Sequence, residues 1–410
     1  MTLGNAVIGQ SGGPTAVINQ SLVGVVEALQ KARADAGSAG VDQILGAHHA
    51  VAGMVKDDYL NLTHTPQDVL DRLADTPSSG LGSSRDKPDA AYCKRIFESF
   101  AKQNVRYFFY AGGNDSSDTC RIIAEMAADQ GYDLTAYHVP KTIDNDLMVN
   151  DHTPGFGSAA KFVAQAFMGD NLDNAALPGI KINIVMGRHA GFLTAAAMLG
   201  RREGKHDGPH LIYVPEADFS EQKFLDDVER VYTAHGRCLI AVSEGIHDEQ
   251  GNPMMTKLQD EVEKDAHGNV QLSGTGALGD LLADLVKTKL GEKLGQKLRV
   301  RADTFGYLQR SFVGCASATD QQEAREAGRQ AVQHALAGEH KSGSIAIVRS
   351  STPGPDETYA VDYRRIEIKE VAALTKHMDP KYIVDGCDID ESFRHYLAPI
   401  VGPLPVIETL

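Results

Sequence analysis

The chain has 410 residues, 42% hydrophobic and 23% charged, a globular balance that excludes disordered and collagen-like classes. Its 40 Lys+Arg stand against 55 Asp+Glu, a formal charge of −15. That leaves no general basic face for nucleic acid, so any anion must be held by a few placed cations and backbone N–H groups.

A single core normally splits at this length, so two domains are expected. The first apolar run, residues 6–8, reads as a strand. It enters Gln10-Ser11-Gly12-Gly13-Pro14, and apolar residues then recur at helical spacing over 16–34. Strand, glycine turn and helix open a doubly wound α/β domain. The same grammar returns: a strand over 105–110 ends in Gly112-Gly113, with a helix over 119–130, and a strand over 134–139 breaks at Pro140. A strand over 180–186 ends at Gly187, with a helix over 190–199. Strands over 211–214 and 239–242 are followed by Glu216 and Glu244. Residues 248–276 are polar and glycine-bearing, and read as a loop or hairpin excursion. A helical pattern resumes over 277–294 and again from 319 to about 336, before a strand over 345–348. The tail from 352 is irregular, with one helix near 368–374. In open α/β sheets ligands sit beyond the carboxyl ends of the strands, where this chain places its most reactive side chains.

Cys93, Cys120, Cys238, Cys315 and Cys387 form no C-x-x-C pair and no zinc spacing, and read as reduced. Residues 1–5 lack the basic and apolar regions of a signal peptide. No run reaches the roughly eighteen apolar residues of a membrane span. The expectation is a cytoplasmic protein with neither a membrane nor a nucleic-acid partner.

The densest constellation is Pro140-Lys141-Thr142-Ile143-Asp144-Asn145-Asp146, directly after a strand. Phosphoryl transfer needs positioning, charge neutralisation and a group to take the attacking hydroxyl's proton. Asp144 suits the last role, with Thr142 and Lys141 on the phosphate. The same residues also suit a capped turn, since Thr and Asp are common N-caps. In Gly112-Gly113-Asn114-Asp115-Ser116-Ser117-Asp118 the glycines let the backbone approach a phosphate, and a helix N-terminus supplies N–H donors. Asp115 offers a hard oxygen for Mg²⁺; a capping aspartate in a glycine turn is the alternative. Ser11-Gly12-Gly13 is a phosphate cradle or a tight turn. Arg188 of Met186-Gly187-Arg188 can fork onto a phosphate or a structural carboxylate. Arg299 and Arg301, leading into Phe305-Gly306-Tyr307-Leu308-Gln309-Arg310, suit an anionic sugar or an exposed strand face.

In this order the motifs resemble the phosphofructokinase family, specifically its pyrophosphate-dependent branch. The residues that carry the resemblance include Gly12-Gly13, Gly-Ser-Ser-Arg at 82–85, Gly-Gly-Asn-Asp-Ser at 112–116 and Pro-Lys-Thr-Ile-Asp-Asn-Asp at 140–146. Met-Gly-Arg at 186–188, Ser-Glu-Gly at 243–245 and Gly-Tyr-Leu-Gln-Arg at 306–310 complete them. The resemblance implies an α/β fold of two domains, each a mostly parallel sheet flanked by helices, with the active site in the cleft. Residues 1–154 would bind pyrophosphate and Mg²⁺, completed by a segment after 310; residues 155–310 would bind the sugar phosphate; 352–410 would be a C-terminal extension.

The resemblance further implies transfer from pyrophosphate to the 1-hydroxyl of fructose 6-phosphate. Asp144 would be the base, with Lys141, Thr142, Asp115 and Arg188 completing the catalytic set. Thr142, Asp144, Met186, Gly187, Arg188, Glu244, Tyr307 and Arg310 would contact the sugar phosphate. Gly12, Gly13 and Lys141 would hold pyrophosphate, and Asn114 and Asp115 the metal. Arg301 resembles an arginine lent to a neighbouring subunit, which implies a homodimer or homotetramer. ATP-using relatives commonly carry glycine at the positions of Asp115 and Lys141 and often histidine at that of Tyr307. An aspartate there blocks and repels the α-phosphate of ATP, and a lysine suits the compact pyrophosphate. Asn114 departs from the family's usual aspartate, and Lys181 is the only basic residue shortly before Met-Gly-Arg. Arg85 touches nucleotide phosphates in ATP-using relatives; here it touches pyrophosphate or nothing. The alternatives are an ATP-dependent kinase of the same fold and a non-catalytic sugar-phosphate-binding regulator, which Asn114 would suit.

Overall fold

A computed structural model of the chain describes residues 3–36, 40–202, 204–257 and 276–409. The strands that organise it are β1 (Gly4–Gln10), β2 (Val41–Ala47), β3 (Tyr59–Asn61), β4 (Val105–Gly112), β5 (Thr135–Pro140), β6 (Ile180–Val185), β7 (Leu211–Tyr213), β8 (Cys238–Ser243), β9 (Val300–Thr304), β10 (Ser342–Arg349) and β11 (Val361–Ile366). β4, β5, β6 and β8 are almost wholly buried, as parallel strands covered by helices on both faces must be. A seven-stranded sheet runs β11-β10-β5-β4-β1-β2-β3, and a four-stranded sheet runs β7-β8-β6-β9. The second sheet is parallel throughout, and only the edge strands β3 and β11 of the first are antiparallel.

Each sheet has apolar clusters on two faces. Leu22, Val26 and Leu29 of the helix Ile18–Ala36 join Ala331 and Val332 of the helix Ala318–Ala337 on one face of the larger sheet. Ile96 and Phe100 of the helix Ala90–Lys102 join Ile123 of the helix Asn114–Asp129 on the other. The helix Glu221–His235 covers the smaller sheet with Phe224, Leu225, Val228 and Val231. It starts where the Ser220 side chain accepts from Lys223 N and stops at left-handed Gly236, a capped start and a glycine stop.

Several sequence expectations need correction. The helix expected from 119 begins at Asn114, so Asn114–Asp118 lie on its first turns rather than in a loop. The helix expected over 190–199 is one α-turn, Phe192–Ala195, continued as 3-10 helix Ala196–Gly200. Near 368–374 only a 3-10 turn, Ile368–Glu370, forms. The tail is more ordered than expected. β11 extends the larger sheet, and the helix Ser392–Val401 buries Phe393, Leu397 and Ile400 against the helix Phe156–Ala176. Each of those side chains contributes roughly 1.5–3 kcal/mol by leaving water. Of the excursion expected over 248–276, Pro253 forms a bridge with His247 and Met254–Lys257 make a 3-10 turn; 258–275 lie outside the described residues.

Candidate active site

The carboxyl ends of β1, β4, β5, β6 and β8 open into one cleft of about 460 Å³. After β1 the chain turns at Gly12 and Gly13. A Cβ on Gly12 would lie 3.2 Å from Lys141 Nζ, and one on Gly13 3.0 Å from Arg310 Cζ. The glycines therefore admit two cations against the backbone, and Lys141 Nζ donates to Gly13 O at 2.8 Å.

β4 ends at Gly112, and Gly113 caps the next helix without a side-chain acceptor, leaving first-turn N–H groups available to a phosphate. Asn114 Nδ2 donates to Asp146 Oδ2 at 3.2 Å, while Asn114 Oδ1 is buried without a hydrogen-bond partner. Asp115 turns outward and pairs with Lys87 at 2.9 Å.

After β5, Thr142 forms a bridge with Gly155, and its Oγ1 accepts from Asp144 N at 3.1 Å. From the second sheet, Met186 N donates to Gln309 Oε1 at 3.3 Å. Gly187 has φ +140° and its carbonyl accepts from Ser243 Oγ at 2.5 Å; a Cβ there would lie 2.6 Å from Ala190 O, so only glycine makes this turn. Arg188 follows, and Glu244 is fixed by its N–H to Val185 O at 2.9 Å.

Gly12, Gly13, Asn114, Asp115, Lys141, Thr142, Asp144, Met186, Arg188, Glu244 and Arg310 all line the cleft. Tyr307 is half exposed, with Arg310 over its ring at 4.6 Å and Arg85 at 5.9 Å. Arg301 is exposed on β9 and is not among the lining residues. Residues without a role in the sequence reading also line it, among them Lys87, Asp146, His189 and Thr375. Asp146 closes the 140–146 motif and His189 adjoins Met-Gly-Arg, a positional signal; Lys87 and Thr375 carry none.

The cleft gathers charges that oppose and unsettle one another. Burial, then Arg310, pulls the Lys141 ammonium down to about 7, with Asp144 and Asp146 pulling it back up. Burial raises Asp144 although Arg310, Lys141 and Arg188 favour its ionised form. Burial and then Asp144 raise Asp146 to about 7. Burial, then Arg85, lowers Arg310. Cations that crowd each other in a half-buried cleft suit a highly charged anion, and a carboxyl group lifted toward neutrality suits proton transfer.

Among the described residues no group of three or more His, Cys, Asp or Glu side chains can hold a metal alone. A hard cation such as Mg²⁺ takes one or two protein oxygens and completes its shell with water and phosphate. The unpartnered Asn114 Oδ1 is such an oxygen. All five cysteines are buried and free.

A family model described as "Phosphofructokinase" matches residues 5–335. The chain belongs to the phosphofructokinase family. It is 54% identical over 403 residues to a pyrophosphate–fructose 6-phosphate 1-phosphotransferase of Rhodospirillum rubrum, covering 98% of this chain and 95% of that one. A protein of the same name from Halomonas elongata is 38% identical, with 97% and 91% covered. The solved pyrophosphate-dependent phosphofructokinase of Nitrosospira multiformis superposes with a TM-score of 0.82 at 33% identity, covering 99% of this chain and 94% of that one. Its agreement along both sheets fits the family's α/β architecture.

Proposed function

We propose that this phosphofructokinase transfers a phosphoryl group from pyrophosphate to the 1-hydroxyl of fructose 6-phosphate, reversibly, giving fructose 1,6-bisphosphate and phosphate. The observation that carries this reading is the single cleft in which Asp144 and the cations Lys141, Arg188 and Arg310 line one cavity. The sugar phosphate lies against Met186, Gly187, Arg188, Glu244, Tyr307 and Arg310, and pyrophosphate against Gly12, Gly13 and Lys141. Asp144 takes the proton of the 1-hydroxyl as its oxygen attacks phosphorus; Thr142, Lys141 and Arg188 hold the transferring group and its charge. Asn114 Oδ1 and Asp115 would hold Mg²⁺, which would supply neutralisation of the phosphates' negative charge. The Asp115–Lys87 pair stands at the donor end, where a nucleotide's α-phosphate would meet the carboxylate.

Oligomerisation is part of the proposal. β9 is an edge strand, and beyond it Leu308 and Val313 are 63% and 78% exposed, with Phe312 beside them. Such an apolar edge suits a second copy of the chain, which would bring Arg301 to a neighbour's sugar site in a dimer or tetramer. The buried free cysteines agree with a reducing, cytoplasmic setting, and no helix among the described residues is long and apolar enough to cross a membrane.

The test is fructose 1,6-bisphosphate formation with Mg²⁺, comparing pyrophosphate and ATP at equal concentration. Activity with pyrophosphate alone is expected; activity with ATP alone refutes the donor assignment, and inactivity with both refutes the catalytic one. Asp144→Asn should lower turnover by about 10²–10⁴-fold, the usual worth of a general base, while calorimetry still detects sugar-phosphate binding. Turnover at the wild-type level would remove Asp144 from the role.

A further inference from the structure

The loop that carries Asp144 and Asp146 adopts an unfavourable path: Asn145 and Val149 lie at φ +58° and +67°. A β-branched residue rarely enters that region, so something outside the loop must hold it. The hold comes from the far end of the sequence. In the segment 371–378, Lys376 N donates to Asp146 O at 2.8 Å. Lys376 Nζ lies 3.1 Å from Asn145 Oδ1, 2.9 Å from Asn150 O and 2.8 Å from Asp151 O. Its three N–H bonds thus go to oxygens of one loop. The Tyr396 hydroxyl works beside it, accepting from Asn145 Nδ2 at 3.0 Å and donating to Asp151 O at 2.8 Å.

The same segment grips the opposite wall of the cleft. His377 Nδ1–H donates to His189 O at 2.7 Å. Met378 N donates to Glu216 Oε1 at 2.9 Å, and Gly191 N reaches that oxygen at the same distance. One short segment therefore fastens the Asp144 loop of the first sheet to the Arg188 loop of the second.

We propose that Lys376 is a positioning residue for phosphoryl transfer. It does not line the cleft; it acts through Asn145 and the backbone of residues 146–151, setting where Asp144 stands relative to the bound hydroxyl. The proposal rests on the phosphotransfer reading of the cleft. Without the ammonium, three oxygens lose their common partner and the loop relaxes. Arg188 and Arg310, which hold the substrates, keep their places. Reaction geometry should suffer more than affinity, because small displacements of a reacting group are costly.

The experiment compares Lys376→Met, which keeps the stem and removes the charge, with wild type. Steady-state kinetics and amide hydrogen exchange of residues 142–152 are measured together. A fall in kcat of about 10–100-fold is expected, as for a displacement of roughly 1 Å, with both KM values nearly unchanged. Loop exchange should accelerate while the helix Glu221–His235 keeps its protection. Wild-type kcat, a KM rise with kcat preserved, or unchanged loop exchange would each overturn the proposal. If Lys376→Met does not fold, Tyr396→Phe removes the neighbouring hold and should lower kcat with KM preserved; wild-type kcat there overturns it equally. A wild-type protein inactive with pyrophosphate would refute the phosphotransfer reading, and loop exchange alone would then decide whether Lys376 holds the loop.

Discussion

Replacing Lys141 by methionine should make the empty protein more stable and the enzyme poorer. The side chain is buried, lies against Arg310, and its ammonium is pulled from 10.5 to about 7. At about 1.4 kcal/mol per pH unit, that displacement sets an upper bound of about 5 kcal/mol on the cost of keeping the group charged. The lost hydrogen bond to Gly13 O returns little of this, because water in the open cleft can replace it. A gain on the order of 1–3 kcal/mol at pH 6 is expected, within that bound. The pH dependence carries the diagnostic sign. Between about 7 and 10.5 the unfolded chain binds more protons at this site than the folded one, so stability rises with pH across that window. The penalty is therefore complete below about 7 and relieved above it, and the advantage of Lys141→Met should shrink between pH 6 and pH 9. Thermal melts of both proteins at each pH, without and with pyrophosphate, read this directly; comparing the two at one pH cancels the titrating groups that Lys141 does not touch, leaving Lys141 and its neighbours Asp144 and Asp146. Pyrophosphate should raise the melting point of wild type and leave the variant almost unmoved. A variant less stable than wild type at pH 6, or an advantage that grows toward pH 9, would refute the electrostatic account of Lys141.

Three further outcomes are expected. Asp115→Gly should lower turnover with pyrophosphate and admit ATP while leaving the melting point nearly unchanged, since the Lys87 pair is exposed and such pairs are worth about 0–1 kcal/mol; an unaltered donor preference in parallel assays would refute the steric account. Gly13→Ala places a methyl 3.0 Å from Arg310 Cζ, the mobile end of a side chain, so KM for the sugar phosphate should rise several-fold with stability preserved, and an unchanged KM would show that Arg310 holds nothing. His152 lies 2.5 Å from Glu323 Oε2 and 2.8 Å from Asp151; burial lowers it, but Glu323 and then Asp151 lift it to about 9. The pair's contribution is complete below about 6.5 and lost as pH rises through about 9, so Glu323→Gln should destabilise by about 3–5 kcal/mol near neutral pH, and denaturation curves should show the gap narrowing between about pH 6.5 and pH 9.

What could be read from the sequence follows from how each element is stabilised. β4, β5, β6 and β8 are buried on both faces, so their apolar runs stand out, and a glycine, a proline or an acidic residue marks where each stops. β2 interrupts its run with exposed Asp42 and Gln43, and three-residue β3 has too little pattern to recognise. The helix Phe156–Ala176 buries residues all round and starts at Gly155 without a side-chain cap, so neither a clean stripe nor a start signal announces it. The helix Glu221–His235 is a different case. Its Ser220 cap, its apolar residues at helical spacing and its Gly236 stop are all present in the sequence between the strands over 211–214 and 239–242, although no helix was expected there.

The site divides along the same line. Gly12, Asn114, Lys141, Asp144, Arg188 and Glu244 each follow a strand directly, so the order of a parallel sheet is enough to bring them together. Lys87 and Thr375 reach the cleft on segments whose course depends on tertiary packing. Residues 371–378 lie along the Asp144 loop because the helix Ser392–Val401, further on, is anchored by Phe393, Leu397 and Ile400 in the core of the second sheet. Nothing local to Thr375 or Lys376 encodes that anchor. A lysine in an irregular tail reads as a solvated charge, and only the packing beyond it turns that charge inward to the loop.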